Sequence, residues 1–137
     1  MIQLILGKKG SGKSKQIVQQ ANELVKDAKG DIVFIDDDNR YVYDLKHEIR
    51  FVNSSEYYVD DVNMFYGFIC GMLSQDFDIS HIFIDGIKNM VHKDLIEMEG
   101  LFKNLNRILK KNNVKAVIVV SADPKTIPEY IKKYISE

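Results

Sequence analysis

Residues 7–14 read GKKGSGKS. The stretch fits G-x-x-x-x-G-K-[ST], with Gly7, Gly12, Lys13 and Ser14 in the specified places. A glycine-rich turn that happens to contain lysines is the alternative, and the flanks weigh against it. IQLIL (2–6) is a short apolar run ending at Gly7 and reads as a buried strand. From Gly12 onward Ile17, Val18, Ala21, Leu24 and Val25 recur at three- and four-residue spacing, which predicts a helix ending near Lys29-Gly30. A strand that runs through glycines into a helix is what a phosphate cradle requires. Small residues let successive backbone N–H groups face an anion, and the helix N-terminus adds partial positive charge. On this reading the phosphate-contacting residues are Gly7, Lys8, Lys9, Gly10, Ser11, Gly12, Lys13, Ser14 and Lys15. Lys13 reaches the terminal phosphates and neutralises charge during catalysis, and the Ser14 hydroxyl holds Mg²⁺.

The remaining chain repeats the alternation. DIVFID (31–36) is a second buried strand, stopped by the acidic cluster Asp36-Asp37-Asp38. Residues 39–50 look like connection with one turn of helix, and IRFVN (49–53) is a weaker strand followed by the turn-forming Ser54-Ser55. Residues 60–73 predict a helix apolar on most faces, within which Gly67 and Gly71 would allow close packing against the sheet or a second copy. HIFID (81–85) is a third strong strand, an amphipathic helix is expected from about 93 to 112, and KAVIVVSAD (115–123) is the longest strand. A short helix after Pro124 closes the chain. Strands apolar on both faces that alternate with helices imply an α/β fold in three layers: a mostly parallel sheet of about five strands, covered by helices on both faces. The expected order sets the 115–120 strand between strand 2–6 and strand 82–85.

Composition narrows the function classes. At 137 residues the chain is one domain's worth, 1–137, with no repeat, linker or low-complexity segment. A net charge of −1, with 19 Lys and Arg of which only Arg40, Arg50 and Arg107 are Arg, argues against nucleic acid as a partner. The basic side of 103–115 reads as a solvated helix face. The single Cys70 leaves no internal disulfide and suits a reducing, cytoplasmic setting. Met1 enters a strand directly, without the layout of a signal peptide, and VNMFYGFICGML (62–73) is too short to span a bilayer. His47, His81 and His92 lack metal-ligand spacing.

The order GKKGSGKS, FIDDD (34–38), FVNSS (51–55), HIFID (81–85) and VIVVSAD (117–123) resembles the RecA-type branch of P-loop NTPases in minimal form. It is also similar to short ATP-binding proteins of anaerobic Gram-positive bacteria. The resemblance implies ATP with Mg²⁺ as ligands, and Asp85, at the end of HIFID, as the metal-side acid; DIVFID with Asp36 matches that pattern as well. It also implies an acid after the second strand, here Asp38, that polarises the attacking water, and a polar sensor at Ser121 or Asp123. The departures are Gly86 directly after Asp85, where many such ATPases place Glu, an Asp rather than a Glu at 38, and no well-placed arginine finger. The expected function is therefore a Mg-dependent ATP-binding protein with slow or partner-stimulated hydrolysis, the partner being another protein or a second copy. The alternatives are a non-catalytic switch acting through residues 36–48 and a small-molecule or nucleotide kinase.

Overall fold

The computed structural model describes residues 1–135. Five strands form one all-parallel sheet: β1 (Ile2–Gly7), β2 (Asp31–Asp36), β3 (Arg50–Asn53), β4 (Ile79–Ile84) and β5 (Lys115–Ser121), in the order β1-β5-β4-β2-β3. The helices are α1 (Lys13–Leu24), α2 (Val62–Gln75), α3 (Ile87–Val91) and α4 (Glu99–Lys111), with short 3₁₀ turns between them. β5 lies between β1 and β4, as expected. Register then fixes where the site falls. Gly7 pairs with Ser121, Ile35 with Ile84, and Asp36 with Asn53. Parallel pairing therefore brings the carboxyl ends of all five strands to one edge, where crevices of open α/β sheets form.

Side chains alternate across a strand, so adjacent residues serve different cores. Ile32, Phe34, Phe83, Val117 and Val119 cluster with Ile17, Val18 and Ala21 of α1. The neighbouring Val33, Ile35, Ile82, Ile84 and Ile118 cluster instead with Phe65 and Ile69 of α2 and Phe102 and Leu105 of α4. Phe34 is fully buried and stacks between Phe51 and Phe83, with ring centroids 6.4 and 6.2 Å away. Truncating such a ring to Ala typically costs ~3–5 kcal/mol.

Several expectations need correction. The helix expected over 60–73 runs to Gln75 and buries only the stripe Phe65, Ile69 and Leu73. Gly67 and Gly71 lie on its outer side, exposed, and a Cβ added at either meets nothing within 4 Å. They do not pack against the sheet. The helix expected from 93 to 112 is divided into a 3₁₀ turn (Leu95–Glu97) and α4, preceded by the unforeseen α3. The closing segment is a 3₁₀ helix, Glu129–Tyr134. Ile131 and Tyr134 are buried from it, and the Tyr134 ring meets Phe102 edge-on at 5.7 Å. Beyond it Ile135 bridges in parallel to Leu4, along the edge of β1 that β5 leaves free. No helix of the described residues is long and apolar enough to cross a membrane.

Candidate functional site

The turn from β1 into α1 owes its shape to two glycines. Gly10 and Gly12 hold φ +86° and +84°, and an added Cβ would meet no atom within 4 Å at either position. The requirement there is conformational: L side chains disfavour the left-handed region. Gly12 is the N-cap residue of α1, and no side chain caps the helix, so its first N–H groups stay available. Gly7 differs, because a Cβ there would lie 2.5 Å from Ser11 Oγ; the loop closes on itself.

A cleft of about 530 Å³ opens beside this turn. Lys9, Gly10, Gly12, Lys13, Ser14 and Lys15 line one side. Asp36, Asp37 and Asp85, at the ends of β2 and β4, line the other, with Ser121 from β5. Gly7, Lys8 and Ser11 belong to the loop but do not line the cleft. Lys8 is exposed, whereas Lys13 is buried to 9% exposure, its four-carbon stem covered and its ammonium held at the cleft.

The acids are held in different ways. Burial pushes the Asp85 carboxyl above the ordinary carboxylate range, and the Ser14 hydroxyl and Gly86 backbone N–H near it only partly offset that shift. Asp37 repels and Lys13 attracts the same group. Ser14 and Asp85, the expected metal ligands, are thus brought together. Asp36 is more deeply buried: desolvation, with Asp37 and Asp85 nearby, pushes its carboxyl up to about 8. Its Oδ1 accepts from the Asp37 backbone N–H at 2.7 Å. Asp37 Oδ2 accepts from Asn89 Nδ2 at 3.0 Å. Gly86, at φ +81°, passes so close to Asp37 that a Cβ there would collide with its carboxylate. That contact leaves no room for a side chain at position 86.

Asp38 lies apart from this group. It does not line the cleft; its Oδ2 pairs with Arg40 Nη2 at 3.1 Å and its Oδ1 accepts from the Arg40 backbone N–H at 2.9 Å. Asp123 is likewise absent from the lining, and its Oδ1 accepts from the Lys125 N–H at 2.9 Å. The carboxylate oxygens of Asp36, Asp37 and Asp38 nonetheless come within 4.8 Å of one another.

Four residues at the cleft went unassigned in the sequence. Arg40 and Tyr41 line it, although Arg40 seemed badly placed in a connection. Lys88 and Asn89 line it from α3, and Lys88 Nζ donates to the Ser121 carbonyl at 2.8 Å. The available signal was Gly86, a glycine directly after the strand-ending acid; at φ +81° it is the N-cap of the short helix that carries Lys88 and Asn89. Comparison with protein-family models and with curated proteins returns no match for this chain.

Proposed function

We propose that the chain is a P-loop NTPase in three-layer form that binds a nucleoside triphosphate, preferring ATP, with Mg²⁺, and hydrolyses it slowly unless a partner protein or a second copy assists. The observation that carries the reading is the pairing of an uncapped helix N-terminus, after two left-handed glycines, with a buried lysine and a facing acid in one cleft. Backbone N–H groups and Lys13 suit the phosphates. Ser14 and Asp85 supply oxygen donors of the kind Mg²⁺ prefers when it keeps most of its waters. The ion's contribution is charge neutralisation on the phosphates. The lone Cys70 supports a cytoplasmic setting.

Slow turnover follows from where the expected groups sit. Asp38, the expected base, does not line the cleft, and Arg40, which does, is drawn to Asp38 in an exposed pair. A switch acting through residues 36–48 is the second reading, favoured by that same pair, because phosphate drawn to Arg40 would compete with Asp38 and move the segment. Phosphate release with Mg-ATP tests both. Release that is slow, and lost in Asp85→Asn or on chelating Mg²⁺, supports the hydrolase. Binding with no release at any protein concentration supports the switch instead.

A further inference from the structure

A second cavity of about 460 Å³ adjoins the nucleotide cleft, over the ends of β2 and β3 and beside α3. The two spaces meet at Asp37 and Asn89, which line both and hydrogen-bond to each other at 3.0 Å. Ser55, Tyr58, Asp60 and His92 supply its polar and aromatic rim. Val59 and Met90, both buried, supply an apolar floor. No lysine or arginine lines it. Two carboxylates stand against one imidazole, His92, which sits 2.8 Å from Asp60, so the cavity is negative in either state of that ring. Its volume suits a small organic molecule.

We propose that this cavity binds a small hydroxyl-bearing organic amine and presents its hydroxyl, across Asp37, to the terminal phosphate in the nucleotide cleft. The inference rests on the nucleotide reading above and deepens it: the phosphoryl acceptor is an amino alcohol rather than water. The cationic end faces Asp60 and the ring of Tyr58, where a carboxylate and an aromatic face attract ammonium. The carbon chain covers Val59 and Met90. Asp37 is the carboxylate exposed to both spaces, and Asn89 holds it through one oxygen while leaving lone pairs on both. In the transfer the acceptor oxygen bonds to the terminal phosphorus. The bond from that phosphorus to the bridging oxygen breaks, and its electron pair leaves with the nucleoside diphosphate. The hydroxyl proton passes to the Asp37 carboxylate and then to solvent.

The test uses the full chain with ethanolamine, choline and serinol as cationic probes and glycerol as the neutral one. Amide resonances of Tyr58, Asn89 and His92 should shift with the amines in the absence of nucleotide, and stay put with glycerol. With Mg-ATP, at least one amine should raise ADP formation about tenfold or more without matching phosphate release, a phosphomonoester appearing in ³¹P spectra. Asp60→Asn should raise the acceptor KM about tenfold at little cost in kcat, and Asp37→Asn should lower kcat about a hundredfold while ATP binding holds. ATP binding measured alongside separates the two readings. If ATP binds but no amine shifts these resonances or accelerates ADP formation, the acceptor site is wrong and the nucleotide site stands. Transfer to glycerol alone would overturn the cationic class, and failure of ATP to bind would remove both.

Discussion

Asp36 and Asp85 end adjacent strands yet divide the work differently. Asp85 meets the Ser14 hydroxyl at the cleft, whereas Asp36 is buried at 4% exposure and turned to its own neighbour's backbone. Asp85→Asn is expected to weaken Mg²⁺-dependent nucleotide binding about tenfold or more and leave metal-free binding nearly intact. Calorimetric titrations with and without Mg²⁺ check this, and greater sensitivity in Asp36→Asn would reverse the assignment. Asp36 should instead be read out in stability. Its carboxyl moves from an ordinary 3.8 to about 8 on folding, so the metal-free folded chain retains a proton that the unfolded chain has released. Its contribution is complete below 3.8, and stability falls as pH rises from there through about 8. Asp36→Asn, neutral throughout, should flatten that slope in denaturant titrations run in chelator. An unchanged slope would mean the burial carries no such cost. Asp38 offers a contrast: its partner is exposed, so Asp38→Asn should change stability by no more than about 1 kcal/mol.

The elements that the sequence announced were those whose pattern is set locally. The strand bounds of DIVFID coincide with β2, because a run apolar on both faces has nowhere else to go in a parallel sheet. The turn between β1 and α1 was legible too, since glycines at that spacing permit the left-handed backbone seen at Gly10 and Gly12. What escaped was set by tertiary context. A dense apolar run over 62–73 suggested burial all round, yet α2 covers the core with one stripe and leaves Gly67 and Gly71 to solvent. Asp38 and Asp37 are indistinguishable by residue type, and only the approach of Gly86 and Asn89 turns the latter toward the cleft. The helix glycines give an element-scale prediction. Gly71→Ala adds a methyl in open space and removes backbone freedom from the unfolded chain, so it should stabilise by ~0.5–1 kcal/mol. Thermal unfolding checks it, and a loss of stability would mean that the outer face of α2 is covered in solution.

At the scale of the molecule, the parallel sheet lines up the strand ends so that a loop after β1, acids at the ends of β2 and β4 and a carbonyl at the end of β5 converge. With water as acceptor and no partner, turnover by the isolated protein should stay well below the ~1 s⁻¹ lower end of typical enzymes. An arginine supplied in trans can be worth ~10³–10⁵ in rate, so specific activity should rise with protein concentration if a second copy provides it. Fast turnover independent of concentration would mean that a free base or arginine already operates in the single chain. All of this depends on whether GKKGSGKS holds phosphate. Titrating Mg-ATP into the wild type and into Lys13→Ala, by calorimetry at millimolar nucleotide, is the most direct measurement. Saturable one-site binding by the wild type is expected, with a loss of about tenfold or more in Lys13→Ala, whose fold should persist by circular dichroism. A wild type that binds neither ATP nor GTP, or a Lys13→Ala variant that binds as tightly as its parent, would contradict it.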